Sequence, residues 1–135
     1  MQSYEFVIPG RPASVHARNR EAYRDWQVNV ERAANRVSPG TFPFTGFDAR
    51  LTIVFVSGVR SPIDVDNVIK PIQDALVGVF YGDDEMVSDV AAHRRTWADE
   101  VPDEGLPDLL RKAWKTKEDC VYVRVQKTAR LRDLL

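Results

Sequence analysis

Two aspartates two residues apart, Asp64 and Asp66, put their carboxylates on the same face of an extended segment, about 6–7 Å from one another, where one cation can bridge them. Lys70 stands four residues beyond Asp66, one turn along if that stretch is helical, so its ammonium projects to the same side. Asp83 and Asp84 follow Gly82 in a turn and add hard oxygen ligands that the chain can fold back toward the first pair. Carboxylates with no neighbouring His or Cys suit Mg2+ or Mn2+ far better than zinc. Each residue also has a structural alternative. Asp66 can cap a helix, Asp83 and Asp84 can simply turn the chain, and Lys70 can pair with Asp74 at the surface. Taken together, these alternatives leave Asp64 without a task and the remaining acids repelling one another.

The elements that must position these residues can be read from periodicity. Residues 3 to 8 alternate with Tyr4, Phe6 and Ile8 on one side, the pattern of a half-buried strand. Pro9-Gly10-Arg11-Pro12 opens a basic loop that runs to Asn19. Tyr23, Trp26, Val30, Ala33 and Val37 predict a helix from 20 to 37, ended by Ser38-Pro39-Gly40 and carrying Arg24, Arg32 and Arg36 outward. Residues 49 to 57 form a strand apolar on both faces, hence central. After a turn at Arg60-Ser61-Pro62, Val68, Ile69, Ile72, Ala75, Leu76 and Val79 share a helical face. Pro71 argues that the regular part of this helix begins close to it. Residues 80 to 84 turn, 86 to 97 run as a strand, 98 to 105 form an acidic loop and 106 to 114 a third helix. Val121, Val123 and Val125 mark a last strand, and 126 to 135 a tail with a possible short helix.

Length and composition bound the class of protein. At 135 residues with 44% hydrophobic and 29% charged residues, the chain is one domain with a real core. No apolar run approaches the roughly 20 residues that span a bilayer, and the opening residues carry neither a basic leader nor an apolar signal, so the expected location is cytoplasmic. The single Cys120 cannot form an internal disulfide and reads as core filler. His16 and His93 are given no role. The net charge of −1 conceals segregation. Residues 1–36 carry six Arg against four acids, 60–105 four Lys/Arg against eleven acids, and 106–135 eight against four. An acidic middle between basic ends suits a metal-dependent enzyme acting on a polyanion; the alternative is an acidic surface that is merely solvated.

The run Asp64-Val65-Asp66-Asn67-Val68-Ile69-Lys70-Pro71-Ile72-Gln73-Asp74-Ala75-Leu76, followed by Tyr81-Gly82-Asp83-Asp84-Glu85-Met86-Val87, resembles the signature of RusA-type Holliday junction resolvases, D-x-D-N-x-x-K-x-x-x-D-A-L before a D-D-x-x-V turn. Phe6-Val7-Ile8-Pro9-Gly10-Arg11-Pro12-Ala13-Ser14 is similar to that family's first strand and Pro-rich loop, so the resemblance spans roughly residues 4 to 97. It implies a compact single α+β domain over 1–135, a mixed β-sheet packed with helices. It also implies a homodimer that binds four-way DNA junctions and cuts symmetrically paired strands with Mg2+, without membrane or nucleotide cofactor. By the same resemblance Asp64, Asp66 and Asp84 are the essential metal-binding carboxylates, Lys70 the functional lysine, Asp83 an auxiliary ligand, Asp74 a structural residue near the site and Asn67 an orienting one. Ile63 stands where the family's bacterial prototype has a basic residue.

The expected chemistry is metal-assisted phosphodiester hydrolysis, with Lys70 at the scissile phosphate or leaving oxygen. Arg11, Arg18, Arg20 and Arg24, with Lys112, Lys115 and Lys117, are the candidates for gripping the DNA backbone, contacts that give affinity rather than base readout. The competing expectations are a junction-binding relative that does not cut, a structural Ca2+ or Mg2+ site in an interaction module, and a nuclease acting on other branched DNA.

Overall fold

The alternating and helical patterns become a mixed sheet with helices on both faces in this computed structural model, which describes residues 3–13, 18–60 and 63–135. His16 and part of the turn expected at Arg60-Ser61-Pro62 lie outside the described residues. In chain order the elements are β1 (Ser3–Pro9), α1 (Arg20–Asn35), β2 (Ala49–Ser57), α2 (Val65–Ala75), a 3-10 turn (Asp84–Met86), β3 (Val87–Thr96), α3 (Asp108–Lys115), β4 (Cys120–Lys127) and α4 (Leu131–Leu134). The strands lie in the order β1-β4-β2-β3. β4 pairs antiparallel with both β1 and β2, whereas β2 and β3 run parallel.

β2 is buried at seven of its nine positions, which requires cover on both faces. On one face Leu51, Ile53 and Phe55 meet Phe6, Ile8, Val121 and Val123 under the apolar stripes of α1 and α2, from Trp26 and Val30 to Val68, Ile72 and Leu76. On the other, Val54, Val56, Cys120 and Tyr122 receive Leu110 and Trp114 of α3. Cys120 is thus core filler, and burial pushes its thiol up to about 11.

Three helices differ in their bounds from the sequence reading, α3 only by a start at Asp108 in place of 106 and an end at Lys115. α1 starts where the Asn19 side chain accepts the backbone N–H groups of Glu21 and Ala22 at 3.1 Å. It ends at Asn35, so Val37 falls in the turn beyond and is exposed. α2 does not wait for Pro71: it begins at Val65 and carries Pro71 as its seventh residue. Proline there removes one hydrogen bond and crowds the Asn67 carbonyl. Burial of Val68, Pro71 and Ile72 and a 3.4 Å hydrogen bond from Gln27 Nε2 to the Pro71 carbonyl offset that cost.

One half-buried carboxylate ties three strand ends together. Asp119, just before β4, accepts hydrogen bonds from the Gly58 N–H at 2.8 Å and Trp97 Nε1 at 3.2 Å and pairs with the Arg11 guanidinium. Burial alone would raise its pKa, but the bonds from Arg11, Gly58 and Trp97 outweigh it and hold the carboxyl below the usual range. A depressed folded-state pKa stabilises the fold above the unfolded value, and that contribution is lost as pH falls through the folded one. Asp119→Ala, which strands the Gly58 and Trp97 donors, is expected to cost about 2 kcal/mol in urea unfolding at pH 7. Asp119→Asn should cost less at pH 7 and flatten the fall in melting temperature between about pH 5 and pH 3.

Candidate active site

The parallel pairing of β2 with β3 forces a long crossover between them, and residues 58–86 of that crossover hold every acidic residue of the Asp64 to Asp84 series. Its entry is fixed at two points. Ser57, fully buried at the end of β2, donates to the Val59 carbonyl at 2.6 Å and accepts Trp97 N–H on its own carbonyl at 2.9 Å. The Trp97 ring lies so close over Gly58 that a Cβ there would sit 2.5 Å from it. Further on, Arg94 Nη1 of β3 donates to the Ile63 carbonyl at 2.8 Å, one residue before the first aspartate.

Asp64 is the N-cap of α2, in extended backbone with φ −68° and ψ 148°, yet its side chain makes no capping hydrogen bond; its carbonyl instead accepts Asn67 N–H at 3.0 Å. Its carboxylate is exposed and not used in the cap. Asp66, expected as a possible cap, sits inside the first turn, also exposed, where the helix dipole favours an anion. Asp66, Lys70 and Asp74 then follow at four-residue intervals along one side of the helix, spanning about 12 Å. Lys70 Nζ lies 3.3 Å from Asp74 Oδ2, the surface pair named as its structural alternative, with both side chains substantially solvated.

The far end of the crossover is anchored from beneath. Gly78, at φ +87°, turns the chain after α2, and its N–H bonds the Tyr81 carbonyl at 2.8 Å. Tyr81 is fully buried and donates its hydroxyl to the Gln73 carbonyl at 2.7 Å; burial, then Asp74 and Asp84, push its pKa far up, so it remains a donor. Gln73 Nε2 reaches the Asp84 carbonyl at 3.3 Å. Asp83 accepts Glu85 N–H at 3.0 Å, and that bond leads those that lower its pKa, as its reading as a turn residue implies. Asp84 is raised, first by its hydrogen bond with Asp83, and it feels Asp74 and Lys70 as well. Phe42, 47% exposed, packs beside Gly82 next to these two carboxylates.

The structure therefore gathers Asp84 with Asp83, Asp74 and Lys70, and keeps Asp64 and Asp66 at the other end of α2. Among the described residues no group of three or more His, Cys, Asp or Glu stands ready to hold a metal ion. The expected convergence of Asp64, Asp66 and Asp84 is not what these side chains adopt. The reason is the early start of α2: two residues apart on an extended chain share a face, whereas Asp66 is already helical and turns away from Asp64. The donor set, made of carboxylates alone, still fits a hard cation by its chemistry. Mg2+ commonly takes one or two carboxylates and completes its shell with water and substrate phosphate, without an all-protein cage.

The basic candidates divide between two faces. Arg18 lies just before α1, Arg20 at its start and Arg24 in its second turn, on the helix packed beside α2, with the Arg20 guanidinium 4.8 Å from the Tyr23 ring centre. Lys112 and Lys115 are exposed on α3, and Lys117 just after it, on the opposite side of the sheet. Arg11 pairs with Asp119. The supports that sequence reasoning missed are Arg94, Trp97, Asp119, Gln73 and Tyr81. No local sequence pattern pointed to these roles, because all of them act across the fold.

The chain belongs to the RusA endodeoxyribonuclease family. The family model described as endodeoxyribonuclease RusA matches residues 7–103, a span that contains the whole crossover. No match was found among curated proteins. No helix of the described residues is long and apolar enough to cross a membrane.

Gly58→Ala tests whether the entry to the crossover is a support of the site. Its Cβ would displace the Trp97 ring, and the expected result is a loss of about 1–3 kcal/mol in unfolding free energy, with a red shift in tryptophan emission as the ring is pushed toward solvent. An unchanged melt and spectrum would show that the contact supports nothing.

Proposed function

We propose that this chain is an endonuclease that resolves four-way DNA junctions by symmetric phosphodiester hydrolysis with Mg2+, Mn2+ serving as a substitute, and that it works as a homodimer of single 1–135 domains on DNA in the cytoplasm. The family match over residues 7–103 carries this reading, because the span holds Asp64, Asp66, Lys70, Asp83 and Asp84 in one crossover.

Lys70 stands one helical turn from both Asp66 and Asp74, so a phosphate drawn to the ammonium lies along the same side of α2. Asp64 and Asp66 at one end and Asp84 with Asp83 at the other would hold the metal. The bound metal supplies charge neutralisation and a water of lowered pKa. Lys70, released from Asp74, offsets charge on the scissile phosphate. Arg18, Arg20 and Arg24, on the α1 side, are placed to hold backbone leading toward the crossover, with Arg11, Lys112, Lys115 and Lys117 serving DNA that continues past it. Two symmetric cuts need two sites, which a pair of identical chains provides.

The decisive assay incubates the pure protein with a labelled four-way junction and a matched linear duplex, with and without Mg2+. The expected outcome is paired nicks in the junction only, and only with Mg2+. Equal cutting of the duplex would leave a nuclease without junction selectivity, and tight junction binding without cutting would identify a catalytically inactive relative. Asp64→Asn and Asp66→Asn should each lower cleavage at least about 100-fold while junction affinity holds or rises, since a negative charge facing phosphate is removed. Lys70→Ala should lower turnover more than affinity.

A further inference from the structure

The connection from α1 to β2, residues 36–48, is long for a helix-to-strand link, where about 2–6 residues are common. It is tied to the fold along its length. The Ser38 hydroxyl donates to the Val79 carbonyl at 3.3 Å and Phe44 N–H to the Phe80 carbonyl at 3.4 Å, with the Phe44 ring buried edge-on to Tyr4. At the far end the Phe47 carbonyl accepts the Ser88 hydroxyl, and the Asp48 carbonyl accepts Thr128 N–H at 2.6 Å. Between the first two anchors Phe42 is left half-exposed, its ring 3.7 Å from where a Cβ on Gly82 would stand. Gly82 directly precedes Asp83 and Asp84, so a phenyl ring is displayed beside carboxylates of the candidate site. Val37 and Val77, both exposed, stand on the same two joined segments, so Phe42 is not a lone apolar surface residue of the kind that needs no explanation.

We infer that Phe42 is a specificity-determining residue of the junction-resolving site: its ring stacks on the face of a base at the branch point while the adjacent carboxylates act on the backbone of that strand. Inside an uninterrupted duplex every base is covered on both faces by its neighbours, and exposing one costs the stacking energy. A branch interrupts the stack and offers such a face at little cost. An aromatic ring gains from any base there, since each has a π-face whatever the sequence. Arg18, Arg20, Arg24 and Lys70 meet phosphate, which duplex and junction present alike. Selection for branched DNA needs a group that reads something other than backbone charge, and Phe42 is the ring held against the acidic turn. This role rests on the junction-resolving reading for its substrate and goes beyond it by naming what is recognised at the branch.

The test is a double-mutant cycle on binding in EDTA, so that association is read apart from cutting. Wild type and Phe42→Leu, which keeps apolar bulk and loses the ring face, are titrated against a labelled four-way junction, the same junction with abasic sites flanking the branch, and a matched duplex. The wild type is expected to lose about tenfold in affinity when those bases are removed. Phe42→Leu should bind the intact junction about tenfold more weakly, be indifferent to base removal and hold the duplex as before, and Phe42→Trp should restore the loss. With Mg2+ added, Phe42→Leu should raise KM for the junction about tenfold and leave kcat within about twofold. A wild type indifferent to base removal would overturn the assignment without reference to any variant. Additive effects of Phe42→Leu and base removal, equal losses on junction and duplex, or no rescue by Phe42→Trp would each overturn it too. A chain that shows this base dependence but cuts no junction would sink the nuclease reading and leave the stacking role standing; one that cuts junctions while Phe42→Leu keeps full affinity would do the reverse.

Discussion

The parallel pairing of β2 and β3 is the constraint on which the rest of the site depends. Antiparallel neighbours can be joined by a tight turn, but parallel ones need a return path of a dozen residues or more, and here that path is residues 58–86 with α2 at its centre. A surface helix stretched over a sheet has one face committed to the core, through Val68, Ile72 and Leu76. Its other faces must be polar, and the Asp66, Lys70, Asp74 series lies there at the helical repeat. The acidic segment is therefore a consequence of topology as well as of chemistry: the crossover both displays it and holds it rigid.

Rigidity comes from contacts at both ends that do not touch the reacting groups. At the entry, Asp119, Trp97 and Arg94 fix Gly58 and Ile63 through backbone atoms, so the identity of the intervening side chains is free to vary. At the exit, Tyr81 and Gln73 join α2 to the Asp83-Asp84 turn. Tyr81 does this from a fully buried position, where an unpaired hydroxyl would cost about 1–3 kcal/mol, so its bond to the Gln73 carbonyl is effectively obligatory.

The strands and the three longer helices were legible because each is a local pattern repeated over eight or more residues or, for the strands, a clear alternation. The mixed sheet followed from the resemblance. What escaped was whatever depends on tertiary balance. Pro71 argues locally for a helix beginning late, yet burial of the surrounding apolar residues carries α2 back to Val65. That one shift moved the N-cap from Asp66 to Asp64 and undid the shared face assumed for the two carboxylates. Lys70 was legible in both of its roles, and the pairing with Asp74 is the one this structure adopts. The family match extends the motif reading to residues 7–103 and leaves the ligand set to experiment.

The Lys70 pairing is best understood as a reversible one. The lysine is largely solvated and the acid partly so, the lysine precedes the acid in the less favourable order along the helix, and exposed pairs of this kind are worth about 0–1 kcal/mol. A phosphodiester approaching α2 therefore needs to outbid only a weak partner for the ammonium. Departure of the ammonium leaves Asp74 and Asp84 facing one another without a nearby positive charge, a repulsion that either a proton or a cation relieves. Substrate capture by Lys70 and the demand of these carboxylates for positive charge are in this way coupled through a single rotatable side chain.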